Sequence, residues 1–184
     1  LLRAHFGQAL DVGLNIFKTP QSKIKSTCLA SLELKSGALM AMALTLGASL
    51  GSASHELEAL CDRFGHALGI ALQMFDDAGN ASVEGPKQFE DLKLRRPSWL
   101  IAVASEVLTP ALFLELQGVI DQLPKTEALN RFLKENKLIE QSREQAKNYL
   151  DNALRMLEES ENKLKSEPVK QIKEVAELLV RAYV

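Results

Sequence analysis

The chain has 184 residues, 46% apolar and 25% charged, with a formal net charge of −2. That length carries a sizeable core, and the balance is that of an ordinary globular chain rather than a disordered one. So small a charge excludes a field that would hold nucleic acid or an anionic membrane; an anionic ligand must be met locally, by a few placed cations or a metal.

No stretch alternates Val, Ile or Thr as a strand would, and helical periodicity covers nearly the whole chain, which predicts one all-α domain over residues 1–184. The first helix runs to about Phe17, before Thr19-Pro20. It opens Leu1-Leu2-Arg3, without methionine and already inside a helical pattern, so the chain is expected to be the C-terminal part of a longer protein. Arg3, His5 and Asp11 interrupt the opening segment, and no signal peptide is visible. A second helix starts near Ser22 or Ser26 and carries the apolar series Leu29 to Leu46, stopping at Gly47 to Gly51. The longest apolar run, Ala38 to Leu50, is too short and too rich in Ala and Gly to predict a membrane span. Cys28 and Cys61 form no CxxC pair and have no His at zinc-ligand spacing, so two buried free thiols in a reducing cytoplasm are expected.

A third helix begins after Ser52 or Ser54, either a good N-cap, with Glu56 and Glu58 in its acid-favouring first turn, and continues to about Asp77 or Asn80. Residues 81–96 read as a loop, broken by Gly85-Pro86 and rich in Lys and Arg. Pro97 suits the first turn of the next helix, which ends at Leu108 before Thr109-Pro110. Helices near 111–122, 126–134 and 137–165 follow, and Glu167-Pro168 begins a terminal helix to about Ala182.

The third helix is mostly apolar, with one narrow polar stripe. At ~100° per residue, Asp62, His66, Gly69, Asp77 and Asn80 fall within roughly 40° of Gln73, and Asp76 within about 60°. Carboxylates on an otherwise buried helix must be paired, hydrogen-bonded or metal-bound. Asp76, Asp77 and Asn80 suit a hard cation such as Mg2+, which takes one or two carboxylates and completes its shell with water and phosphates. The same spacing also suits a helix end whose acids point into solvent. Lys35, set among Leu32, Leu34, Ala38 and Leu39, either snorkels to the surface or reaches an internal anion. Lys87, Lys93, Arg95 and Arg96 crowd the loop after the acids, and acids flanked by such cations make a polyphosphate site. His5, His55 and His66 have no role in this scheme, and Trp99 reads as packing.

Gly69-Ile-Ala-Leu-Gln73-Met-Phe-Asp76-Asp77-Ala-Gly-Asn80 resembles GxxFQxxDDxxD, the second aspartate-rich motif of the trans-isoprenyl diphosphate synthases, or polyprenyl synthetases. Other segments agree in order and spacing. Gly7-Gln8-Ala9-Leu10-Asp11-Val12 is similar to the family's GQxLDL helix, and Lys35-Ser36-Gly37-Ala38-Leu39 to its KTxxL element. Asp91 to Leu100 resembles its DxxxGKxT/SWL stretch, with Lys87 at the position of a preceding lysine.

The resemblance implies the C-terminal portion of an isoprenoid synthase-type helical bundle. It implies Mg2+-dependent condensation of an allylic diphosphate with isopentenyl diphosphate, by a homodimer in the cytoplasm. Residue by residue, it makes Lys35, Gln73 and Asp76 catalytic and Asp76, Asp77 and Asn80 metal-binding. It sets Lys35, Lys87 and Arg96 on the allylic diphosphate, and Gln8, Asp11 and Ser36 along the cavity. Departures are Asn80 for the last aspartate, which predicts weakened metal binding, Arg96 for lysine, Ser36 for threonine and Leu72 for phenylalanine. Nothing here matches the family's first aspartate-rich motif, so these residues alone are expected to be inactive. A non-catalytic or regulatory subunit of the same fold, and a helical interaction protein with solvated charges, are the alternatives.

Overall fold

The computed structural model describes residues 1–82, 88–164 and 167–183, and all the regular structure among them is helical. Helix α1 (Leu2–Gly13) ends earlier than its periodicity predicts, and the chain turns through a 3-10 segment, Ile16–Lys18. The Asn15 side chain caps that turn by accepting from the Phe17 N–H at 3.1 Å. Helix α2 (Gln21–Leu32) starts just after Pro20 and passes without a break through a π turn, Glu33–Gly37, into α3 (Ala38–Leu50). Helix α4 (His55–Ser82) is capped by Ser54, whose hydroxyl accepts from the Leu57 N–H at 3.3 Å. A short helix α5 (Glu90–Lys93) lies inside the predicted loop, and α6 (Trp99–Val107), α7 (Pro110–Ile120), α8 (Glu127–Glu135), α9 (Leu138–Leu164) and α10 (Glu167–Tyr183) complete the order. Pro97 does not enter the first turn of α6; Ser98 takes the N-cap position, because the Trp99 N–H is held by the Asp77 carboxylate at 2.7 Å.

Helix α4 is the spine, with α3 and α9 packed along it and α2 packed on α6. Phe64, Leu68, Met74, Trp99, Leu100 and Ile101 form the centre of the core, each at most 2% exposed. The Trp99 indole N–H donates to the Ser142 carbonyl at 3.1 Å, and its ring meets Tyr149 edge-on. Cys28 and Cys61 are free and buried, as the spacing predicts; burial pushes the Cys28 thiol up to about 12.

The helices around the π turn approach so closely that only glycine fits. A Cβ on Gly7 of α1 would lie 2.5 Å from the Lys35 nitrogen, and one on Gly69 of α4 would lie 2.5 Å from the Ser36 carbonyl oxygen. A turn of α4 earlier, Gly65 sits equally close to Ala41 of α3. Backbone therefore packs on backbone from both sides of Lys35 and Ser36. A π turn is uncommon and frequently marks a functional site, since its extra residue re-aims the neighbouring side chains.

The continuous helix Gln21–Leu50 is, by length and composition alone, long and apolar enough to cross a membrane, whereas the sequence predicts no span from the run Ala38–Leu50. The charged Glu33 and Lys35 at its middle and the packing of α1, α4 and α6 on it are features of a bundle helix. Leu39, Met42, Leu46 and Leu50 of this helix, with Leu2, Phe6 and Val12 of α1, leave apolar side chains exposed.

Gly69→Ala is expected to lower stability by about 1–3 kcal/mol, as overpacking does. Gly118→Ala, at an exposed helical site where a Cβ meets nothing within 4 Å, should raise it by about 1 kcal/mol. Urea unfolding of the two variants beside the parent measures both.

Candidate functional site

The polar side chains of α4 meet the π turn at the end of the bundle where α6 begins. The Ser36 hydroxyl donates to the Gln73 side-chain carbonyl at 2.8 Å. The Gln73 amide nitrogen then lies 3.2 Å from Asp76 Oδ2 and 3.0 Å from Asp77 Oδ1. One glutamine thus joins the turn to both acids, and its orientation is set because one end accepts and the other donates. The Asn80 amide lies 3.4 Å from Asp76 Oδ2, completing one more turn of the array.

The adjacent acids face different surroundings. Asp76 is exposed, beside a cavity of about 390 Å³ also lined by Ser36, Met40, Ala43, Leu72 and Gln73. Asp77 is buried, and its second oxygen accepts the Trp99 N–H, satisfying one of the orphan donors at the start of α6. Burial raises the Asp77 carboxyl to about 7, against the opposing pull of the Gln73 and Trp99 hydrogen bonds. Asp77 is therefore a structural cap as well as a member of the acidic motif.

A second charge cluster lies behind the first. Lys35 Nζ pairs with Asp11 Oδ2 at 3.0 Å, joining the π turn to α1, so Lys35 reaches inward rather than snorkelling out. Arg96 pairs with Asp91 at 3.7 Å, and its backbone N–H donates to the Asp91 carbonyl at 2.9 Å. Burial, and then the Asp11 charge, push the Asp91 carboxyl above its usual range, while Arg96 and Lys35 oppose that shift. Asp91 is the member of this cluster that does not stand among the site residues expected from the sequence, although it heads the DxxxGKxT/SWL-like stretch.

Ser36, Gln73, Asp76, Asp77 and Asn80 are thus connected by hydrogen bonds, with the Lys35–Asp11 pair on the same turn. Gln8 is exposed on α1, Lys93 and Arg95 are exposed, and Arg95 pairs with Asp121 at 2.6 Å. Lys87 lies outside the described residues. His66 turns back to the Asp62 carbonyl at 3.0 Å, a local helix contact. Among the described residues no three His, Cys, Asp or Glu side chains cluster closely enough to hold a metal by themselves. The donor set that fits a magnesium ion is the exposed Asp76 carboxylate with the Asn80 amide oxygen, leaving the other positions for water and phosphate oxygens.

The helical arrangement is that of the all-α isoprenoid synthases. It superposes on a decaprenyl diphosphate synthase from Rhodobacter capsulatus with a TM-score of 0.77 at 19% identity, covering 100% of this chain and 57% of that one. A geranylgeranyl pyrophosphate synthase from Lactobacillus brevis gives a TM-score of 0.78 at 21% identity, covering 98% and 57%. Residues 1–136 match the polyprenyl synthetase family, and the chain belongs to it. A geranylgeranyl diphosphate synthase from Methanosarcina mazei is 38% identical over 71 residues, 39% of this chain and 21% of that protein. The chain thus spans somewhat over half the length of the solved structures it resembles.

In the unfolded chain Asp77 ionises near its ordinary 3.8, and in the fold only near 7. Between those values the fold holds a proton that the unfolded chain has released, so stability falls as pH rises from about 4 to 7. Thermal unfolding across that range should show the decline, and Asp77→Asn should flatten it. Asp77→Ala, which strands the Trp99 N–H and the Gln73 amide, should cost about 1–3 kcal/mol near pH 4, and less as pH rises through the range, because the variant lacks the titrating group.

Proposed function

We propose that this chain is the C-terminal part of a Mg2+-dependent trans-prenyltransferase that condenses an allylic diphosphate with isopentenyl diphosphate. The observation that carries this reading is the array Ser36–Gln73–Asp76, set at the mouth of an apolar-walled cavity and backed by Lys35 and Arg96. Charged leaving-group chemistry suits the array, and the apolar walls suit a hydrocarbon. Family membership and the relatives' diphosphate synthase activities support it.

In this reading Asp76, with Asn80 beside it, would hold a magnesium ion, which would supply Lewis-acid stabilisation of the departing pyrophosphate. Lys35 and Arg96, with Lys87, bind the diphosphate. Both paired cations are fixed by carboxylates, Lys35 by Asp11 and Arg96 by Asp91, so each is held in place before substrate arrives. Gln73 holds Asp76 and presents a dipole to the cavity, and Ser36 fixes which way that amide points. Leu39, Leu72 and Met40 keep water from a developing allylic cation. The proton lost after carbon–carbon bond formation leaves with the pyrophosphate. The homodimer and the cytoplasmic setting belong to the same proposal; the exposed apolar side chains of α1 and α3 support burial against further helices, in the same polypeptide or in a second copy.

The presence of only one exposed carboxylate in the array favours a second reading, a non-catalytic subunit of the same fold. Elongation assays separate the two. The full-length polypeptide with Mg2+, labelled isopentenyl diphosphate and dimethylallyl, geranyl or farnesyl diphosphate should yield longer prenyl diphosphates. Asp76→Ala should lower kcat/KM by about 100-fold or more. Absence of elongation with all three primers rejects the enzyme reading, and an Asp76→Ala variant of full activity removes the metal role.

A further inference from the structure

Ser98 occupies the N-cap position of α6, yet its side chain caps nothing there. The residue is 3% exposed, and its hydroxyl oxygen is buried with no hydrogen-bond partner. Ser31 and Thr45 carry hydroxyls in the same condition, but both lie inside helices, where the carbonyl four residues earlier is the ordinary local acceptor. Ser98 precedes its helix and has no helical turn behind it to supply that acceptor. A buried hydroxyl left unpaired is costly, so what surrounds this one matters.

Its surroundings are a small cavity of about 10 Å³ where the ends of α4, α5 and α6 meet. Ser98 lines it together with Asp77, Asn80 and Asp91, and Ala81 and Leu92 give it apolar wall. Glu90 also borders it but is exposed, and Asp76 faces the separate cavity of about 390 Å³ instead. The volume matches the roughly 10–15 Å³ that seats one water, and is too small for a diphosphate or a hydrated magnesium ion. The hydrogen-bonding capacity matches as well. A buried water typically makes about three hydrogen bonds, here two donated and one accepted. The Ser98 hydroxyl is the donor to it. Each Asp77 oxygen already accepts one N–H, from Gln73 or from Trp99, and keeps a second lone pair. Arg96 engages Oδ1 of Asp91 at 3.7 Å, and a carboxylate has capacity for further donors. The two carboxyl groups are close enough for the Asp91 charge to act on Asp77.

We propose that this cavity is a site for one water molecule, held by Ser98, Asp77 and Asp91, and that through it Ser98 positions the Arg96 side chain by way of Asp91. The water accepts from the Ser98 hydroxyl and donates to one oxygen of each aspartate. It joins the Ser36–Gln73–Asp77 array to the Asp91–Arg96 pair, two groups that no direct side-chain hydrogen bond connects among the described residues. The water site stands on the geometry alone; the effect on diphosphate binding rests on the prenyltransferase reading, in which Arg96 meets that group. Ser98 is then a positioning residue, remote from the reacting atoms.

The test uses the full-length polypeptide and its Ser98→Ala and Ser98→Thr variants, the second of which keeps the hydroxyl. High-resolution diffraction reads the site directly: a single density peak within hydrogen-bond distance of Ser98, Asp77 and Asp91 is expected in the parent and in Ser98→Thr, and not in Ser98→Ala. No peak in the parent, or an anomalous signal there after a rubidium soak, would overturn the water site. Calorimetry with inorganic pyrophosphate, without divalent metal, reads the positioning. Ser98→Ala should weaken binding about fivefold or more, Ser98→Thr should restore it, and in an Arg96→Gln background Ser98→Ala should change nothing further. A purely structural role would lower affinity with or without Arg96, and that result, or unchanged affinity in Ser98→Ala, would overturn the positioning role. If the parent shows the peak but binds no pyrophosphate, the diphosphate reading of Arg96 fails while the water site stands.

Discussion

Three helices converge on the π turn at Glu33–Gly37, and they do so only because Gly7 and Gly69 have no side chain there. The contact is backbone against backbone, so the helix axes have no slack to absorb a methyl group. This close approach fixes Lys35 against α1 and Ser36 against α4. From it follow the Lys35–Asp11 pair and the Ser36–Gln73 hydrogen bond, and through Gln73 the positions of both acids. The polar array is as rigid as the helices that carry it.

Electrostatics then divides two neighbouring aspartates. Their positions differ by one helical step, about 100° around the axis, which is enough to send one to the cavity and one into the core. Asp77 can stay buried because two N–H groups meet it and because its carboxyl holds a proton more strongly than usual. It links the acidic end of α4 to the start of α6, so that the chemistry-bearing helix and the helix after the basic loop are positioned together. Lys35 and Arg96 are already paired with Asp11 and Asp91. In the proposed reaction a diphosphate would therefore exchange ion pairs rather than meet free cations.

The apolar surfaces divide in a similar way. Residues of α3 on the α4 and α10 side line a cleft of about 740 Å³, while Leu39, Met42, Leu46 and Leu50 remain exposed. Together with Leu2, Phe6 and Val12 of α1 they form surface of the kind that helical bundles bury, in a chain that spans 57% of a decaprenyl diphosphate synthase of the same fold.

Much of this was legible from residues alone. Periodicity and caps placed α3, α4 and the helices beyond Pro97, with boundary differences of a few residues, and the ordered motifs pointed to the polyprenyl synthetase family to which the chain belongs. The polar stripe on α4 was visible because it interrupts an otherwise apolar helix. Other features depend on neighbours distant in sequence. The early end of α1, the short helix α5 and the start of α6 at Trp99 are set by contacts rather than by local propensity, the last by a carboxylate 22 residues earlier. The π turn leaves no mark in a pattern of apolar spacing, and the role of Gly7 and Gly69 appears only where another backbone lies against them. Local sequence determined that the chain is helical, roughly where the long helices run, and which face of α4 is polar, since those follow from a fixed angular step along one chain. Which aspartate faces the cavity, which lysine has a partner, and where a cleft lies open were decided by tertiary packing, because burial and charge pairing depend on what the other helices bring alongside.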